Sequence, residues 1–368
     1  MADLSLPEAI HPPAWLSSQA ARAPEQIGDK LHRALNSAAH RERWKYTKAE
    51  GILAGVAAPT VEPMLTGAEQ AELEITRGPL DKALPGIDFE QAPEAFARLC
   101  YADQALTIDV TKPLREPLRI HHSGSTMPII IRVAANSALT LLEDVSASKA
   151  MQQSIWIDLG KNAQLKHSRN ALRPCDNHWQ YLNVRLQQGA NYQMNNHVSG
   201  SKLRRQDIHL VLDGQRSVAT LVSAGRVRHN DVLDQQVTVE HRQPRGSSQQ
   251  TVHNIVADGG KCTFNGRIHI HEGASGTDAQ LSNKNLGMGA HATINTKPEL
   301  EIYTDDVSCS HGATVGTISQ EALFYLMSRG VAPDTAEALL SQGFLRQCID
   351  GPLAEEALQS MIGEAVSL

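Results

Sequence analysis

The spacing of apolar positions changes twice along the chain. Between Trp15 and Ala39 they fall at Leu16, Ala20, Ala23, Ile27, Leu31 and Leu35, three to four apart, which is the repeat of one helix face. Prolines and glycines in "APTVEP", "RGPLDKALPGID" and "QAPEAF" then interrupt the pattern from about 58 to 96. That stretch predicts loops, with a short helix near Pro93–Tyr101. From about 104 to 316 the texture becomes short alternating runs between Gly or Asn corners, as in "NSALTLL" from Asn136, "GANYQM" from Gly189 and "GGKCTFNGRIHIH" from Gly259. Alternation of this kind is the signature of strands; it places Ile268 and Ile270 on an inner face and His269 and His271 on an outer one. Helical spacing returns after 316. Thr317 or Ser319 offers an N-cap, Glu321 sits in the first turn, Leu323, Leu326 and Met327 share a face, and Gly330 ends the helix. A second helix is expected from about Pro333 to Gln342, closed by Gly343, and a third from about Pro352 to Ala365.

Three regions follow: 1–103, helical and loop-rich; 104–316, all β; and 317–368, helical. The corner glycines at 160, 189, 214, 259, 273 and 289 keep no strict period. Strands nevertheless continue for about 200 residues without a helix, which favours a β-solenoid over a sandwich of nearer ~100 residues or a barrel. Each rung of a solenoid buries its inward residues on the next rung and leaves outward positions free for polar groups. The apolar residues of the last helices, including Leu339, Leu340 and Phe344, either cap the solenoid's open end or form a docking face for another protein.

Composition narrows the function classes. Aromatics are only 4% of the chain, so its core is built of small aliphatic side chains, as repetitive stacking requires. A net charge of −6 argues against a nucleic-acid partner, and the single basic cluster, Lys202, Arg204 and Arg205, reads as a solvated face. No run reaches the ~18 apolar residues that cross a bilayer, and "MADLSLPEAIHPPAWL" lacks a secretory pattern; no membrane and a cytoplasmic location are expected. Nucleotide-loop, nucleophile-elbow and zincin motifs are all missing, so neither an ATPase nor a standard hydrolase is indicated. The five cysteines, at 100, 175, 262, 309 and 348, are odd in number and scattered, which suits free thiols and argues against a complete iron–sulfur ligand set within one chain.

Histidine is in excess, with eleven of sixteen from His167 onward. On strands most of these read as polar residues on the outer face. Cys309 and His311, in "YTDDVSCSHGATVG", differ: positions i and i+2 of a strand project to one side, within reach of one metal or of each other. Two ligands are too few for a stable site, so either the pair is structural or the remaining ligands come from elsewhere, such as a partner chain.

Three blocks of sequence resemble one family. "NTKPELEIYTDDVSCSHGATVGTISQEALFYLMSRG" from Asn295, "FNGRIHIHEGASGTDAQLSNKNL" from Phe264 and "RERWKYT" from Arg41 are similar to blocks of the SufB/SufD scaffold proteins of iron–sulfur cluster assembly, with "CSHGATVG" in the form of the SufD branch. The resemblance implies a right-handed parallel β-helix flanked by helical N- and C-terminal regions, and a non-catalytic scaffold subunit. It also implies pairing with a SufB-like chain and docking of a SufC-like ABC-type ATPase on region 317–368, with Leu323, Leu326, Leu339, Leu340 and Phe344 as interface residues. In that picture His311 is the metal ligand for a transient iron–sulfur cluster shared with SufB, Cys309 is a second candidate, and Asp305 and Asp306 hold the turn or orient the imidazole. Whether a flavin joins the complex is left open. Rival readings are a homodimeric structural or metal-binding β-helix protein and a β-helix polysaccharide lyase or hydrolase.

Overall fold

The computed structural model describes residues 33–35, 37–47, 61–78, 104–146 and 150–362. Most of the helix expected over Trp15–Ala39, and all of that expected near Pro93–Tyr101, lie outside the described residues. Consecutive strands from Ala105–Val110 onward fall alternately into two sheets of nine strands each. Every pairing from that strand to Val307–Gly316 is parallel and in register. The molecule is therefore a parallel β-solenoid, mainly β, with helices at its C-terminal end.

The step between register partners explains why the sequence shows no fixed period. Leu106 pairs with Ile129 in the first rungs, whereas Lys261 pairs with Thr293 in the last, so the step lengthens along the solenoid. What repeats is the corner. Asn136, Asn162, Gly189, Arg216, Arg245 and Gly276 all take positive φ, between 57° and 69°, in successive rungs. Each donates its N–H to a carbonyl of the following rung, at Lys161, Gln188, Gln215, Pro244, Ser275 and Asp306 respectively, over 2.7–3.2 Å. Asn and Gly tolerate this left-handed backbone, which is why they mark corners in the sequence. Gly214 serves differently: a Cβ there would lie 1.9 Å from the backbone nitrogen of Gln188.

Inside, Leu106, Ile108, Ile129, Ile131, Ile155, Ile157, Leu182, Val184, Leu210 and Val239 form one continuous core of fully buried side chains. Each aliphatic side chain so buried contributes about 1.5–3 kcal/mol. Ile268 and Ile270 point into this core, and His269 and His271 stand outside it with rings stacked at 4.0 Å. Other histidines depart from the outer-face expectation: His167, His178, His197 and His241 are all fully buried, as is His122 upstream of them. A polar seam runs beside the aliphatic core. Gln153, Gln180, Gln206 and Gln235 stack in register, Gln206 donating to Gln180 at 3.1 Å and Gln235 to Gln206 at 3.3 Å. Such groups are tolerated inside only when hydrogen-bonded.

The basic cluster read as a solvated face is buried at two of its three residues. Arg204 lies inside the solenoid, donating to the carbonyls of Ala171, Ser199 and Arg173. Arg205 lies under the N-terminal motif: Trp44 stacks on its guanidinium at 3.6 Å, and Asp207 and Asp234 accept from it at 2.8–2.9 Å. Thr47 and Arg43 reach the same two carboxylates. "RERWKYT" is thus a clamp across rungs, with cation–π and charge-assisted bonds shielded from water.

The stretch read as loops between 58 and 96 contributes two strands. Met64–Thr66 and Leu73–Gly78 pair antiparallel with the first strands of the two sheets, covering sheet edges that would otherwise be open. At the other end the helices do not cap the solenoid. Leu345, Cys348, Ile349, Ala357 and Met361 pack on its flank against Leu172, Ala224 and Ile255, and the last rung stays uncovered among the described residues. The second helix runs Pro333–Arg346, through Gly343 rather than ending there, and the third spans Ala354–Ile362.

Two expectations for stability follow. Gly214→Ala collides with backbone and should cost about 1–3 kcal/mol or more, whereas Gly343→Ala, with nothing within 4 Å of the added Cβ, should stabilise by roughly 0.5–1 kcal/mol; urea midpoints of the two variants against the parent check both signs. Burial pulls His197 and His241 down to about 4. The unfolded chain, with ordinary imidazoles near 6.5, takes up protons that the folded chain refuses. Stability is therefore full above pH 6.5 and falls toward pH 4, by about 3 kcal/mol for each group. Unfolding midpoints from pH 7.5 to 4.5 measure the slope, and His241→Gln should make it shallower even if the variant is less stable at pH 7.5.

Candidate functional site

The last rung is formed by Thr293–Ile302 and Val307–Gly316, each the end strand of its sheet. On Val307–Gly316, parity is set by pairing with Thr277–Met288: Cys309 stacks on Ala279 and His311 on Leu281. Tracing His311 back through the rungs gives Gln250, Leu221, Met194, His167, Leu141 and Leu118. His311 therefore ends a column of interior positions, yet it is exposed, because no further rung follows. Cys309 ends the neighbouring column, through Ala279, Ser248, Ala219, Tyr192, Leu165 and Leu139. It is half-buried and packs on the core; burial raises its thiol pKa, partly offset by a backbone hydrogen bond involving Ala279.

Asp305 and Asp306 shape the corner that delivers this strand. The carbonyl of Asp306 accepts from Gly276 N–H at 2.7 Å and that of Asp305 from Val307 N–H at 3.2 Å, so the turn is held by backbone, and both residues are otherwise exposed. Among the described residues no three His, Cys, Asp or Glu side chains gather to hold a metal ion. The end rung thus presents one imidazole and one thiol on the same face of an uncovered strand, a partial ligand set that a facing surface could complete. Pro298 sits within the companion strand, where it has no N–H to offer an added strand. The edge with regular donors and acceptors is Val307–Gly316.

The helical residues expected at an interface divide. Leu339 is 47% exposed, while Leu323, Leu326 and Leu340 are half-buried. Phe344 is committed to the solenoid, stacked on His253 at 4.7 Å with its carbonyl 3.0 Å from His253 Nδ1. Sequence reasoning missed two exposed aromatics, Phe324 at 73% and Tyr325 at 57%, on the helix Gln320–Ser328. That helix is capped by Ser319, whose hydroxyl accepts from Ala322 N–H at 3.2 Å, and it buries none of its own residues. The signal was there: "ALFYLM" is apolar on every face, which a helix with one buried side does not need.

A family model for "SUF system FeS cluster assembly, SufBD core domain" matches residues 119–344, which takes in the solenoid's parallel strands from the second to the last and most of the two helices that follow. The chain belongs to the SufB/SufD family. It is similar to the iron-sulfur cluster assembly protein SufD of Escherichia coli K12, at 35% identity over 207 residues, covering 56% of this chain and 49% of that protein. A SufBD family protein of Synechocystis is 30% identical over 254 residues, covering 65% of this chain and 55% of its own length. The chloroplastic protein ABCI7 of Arabidopsis thaliana is 31% identical over 194 residues, covering 52% of this chain and 40% of its own. The chain spans about half the length of the curated relatives it matches. No helix among the described residues is long and apolar enough to cross a membrane.

Four cysteines are free among the described residues, and only Cys309 is not buried. Iodoacetamide on the native chain should therefore modify Cys309 well before Cys175, Cys262 and Cys348. Burial pushes the thiols of Cys262 and Cys348 up, that of Cys348 to about 11, which slows them further. Peptide mass mapping of a labelling time course reads the order, and early labelling of Cys175 or Cys348 would contradict the packing described.

Proposed function

We propose that this chain is the SufD-like, non-catalytic subunit of a cytoplasmic scaffold on which iron–sulfur clusters are assembled. In this reading residues 104–316 form the β-helix core and Val307–Gly316 faces a SufB-like partner. Residues 317–368 dock a SufC-like ABC-type ATPase through the exposed apolar surface of Leu339 and its neighbours. His311 is a ligand for iron of the nascent cluster, with the other ligands supplied across the seam, and Cys309 is a weaker candidate because its thiol is drawn into the core. The cluster is cargo here: it forms at the seam and leaves.

The observation that carries the reading is the position of His311, a residue in an interior column made accessible only because the solenoid stops. A merely structural histidine there would have gained burial from one more rung. The exposed aromatics of Gln320–Ser328 support the docking half, since apolar side chains this exposed are favoured where a partner covers them. ATP-driven closure of the docked ATPases would pull on the helices, part the seam and uncover His311.

Co-expression with the SufB-like and SufC-like chains, followed by purification and assay of iron and acid-labile sulfide, tests this. His311→Ala should leave the three-component complex intact and reduce cluster content on the order of tenfold. Loss of the complex itself would show that His311 is structural. Recovery of the parent chain alone, as a metal-free homodimer, would overturn the scaffold reading.

A further inference from the structure

Both strands of the last rung are bonded on one side only. Val307–Gly316 pairs with Thr277–Met288 and Thr293–Ile302 with Lys261–Ile270, and each ends its sheet among the described residues. Burial is thin there as well: Val315 is 56% exposed, and no residue of Thr293–Ile302 is fully buried. The His311 imidazole is exposed and makes no hydrogen bond to another described residue. Its direction therefore follows the strand that carries it, and whatever fixes that strand fixes the imidazole.

A set of amides does this from inside. Asn283 and Asn285, in "LSNKNL", are buried one rung before the end, where they are the register partners of Ala313 and Val315. Asn285 Nδ2 donates to the carbonyl of Thr314 at 3.2 Å and to Asn283 Oδ1 at 2.6 Å. Asn283 Oδ1 also accepts from Thr296 Oγ1 at 2.8 Å, while Asn283 Nδ2 donates to the Val252 carbonyl at 3.3 Å. Asn254 Nδ2, a rung earlier, donates to Asn285 Oδ1 at 3.1 Å. The carbonyls of Thr314 and Val252 can only accept, so each amide faces one way and the Thr296 hydroxyl is the donor.

The two ends of this chain of bonds lie in different sheets. Thr296 belongs to Thr293–Ile302 and Thr314 to Val307–Gly316, so Thr296, Asn283, Asn285 and the Thr314 carbonyl tie both edges of the last rung across the interior. The column of Asn285 runs back through Asn254, Gly225, Val198 and Ala171. Apolar stacking serves its earlier rungs, and amides enter it only near the end. Where no further rung covers the core, directional bonds take over from burial, and breaking one strands a buried polar group.

We propose that Asn283, Asn285 and Thr296 are positioning residues, which set the spacing of the two end strands and so the direction in which His311 is presented. The consequence for cluster assembly rests on the scaffold reading; the tie between the strands does not.

Thr296→Val keeps the volume and removes the donor, Thr296→Ser keeps the donor, and Gly214→Ala disturbs an interior corner instead. In the isolated full chain, protected amides of Thr293–Ile302 and Val307–Gly316 should exchange hydrogen roughly three to ten times faster in Thr296→Val than in the parent. Thr296→Ser should exchange like the parent, and Gly214→Ala should show no selective rise at the end rung. Asn285→Ala releases Thr314 directly and should act more strongly on Val307–Gly316; if it does not fold, the Thr296 variants decide. In the co-expressed complex, iron and acid-labile sulfide should fall in Thr296→Val and return in Thr296→Ser, with the complex intact. Unchanged exchange in Thr296→Val, or a rise that Thr296→Ser or Gly214→Ala shares, would overturn the tie. Faster exchange with full cluster content would overturn the positioning role. A parent complex without cluster would overturn the scaffold reading and the role built on it, while exchange still decides the tie.

Discussion

A parallel solenoid satisfies its backbone and buries its side chains only by laying one rung on another. Every strand between the ends is bonded on both sides, and every inward side chain is covered above and below by its register partners. The two ends cannot share in this. At one end a short antiparallel pair, Met64–Thr66 and Leu73–Gly78, covers the first strands. At the other, Val307–Gly316 keeps an open edge and an open face. The same rule that buries Leu281 thus exposes His311, its partner one rung later.

The corner column is what lets the rungs vary in length without losing register. Left-handed residues from Asn136 to Gly276 bond corner to corner, so extra residues are absorbed in the connections while the strands remain aligned. That freedom accounts for a step that widens between the pair Leu106 and Ile129 and the pair Lys261 and Thr293. It also accounts for polar groups inside: a register-locked column places amides such as Gln180 and Gln206 one strand spacing apart, where they bond each other. The helices are free of this constraint. They lie on the flank through Leu345, Ile349 and Met361, leaving Phe324 and Tyr325 outside.

Much of this was legible in the chain. Alternation and Gly or Asn corners pointed to strands, their persistence to a solenoid, and the i, i+2 spacing of Cys309 and His311 to a shared face. The outer histidines, His269 and His271, followed the same parity. Misreadings came where polarity was taken for exposure. Arg204, Arg205, His167 and His178 look like surface residues one at a time, and each is buried because a partner from another rung, or Trp44 from far upstream, meets it.

Periodicity and corner residues are local properties, and they are enough to specify the strands, their facing and the helical tail. Which strand lies last, which charged groups lie inside and which helix faces are left bare depend on contacts between rungs or between distant segments, as from Gln153 to Arg169 and His178 or from Trp44 to Arg205. These are settled only once the rungs are stacked. Burial of a polar group is permitted or forbidden by its partners, and partners in another rung leave no pattern in the neighbouring residues.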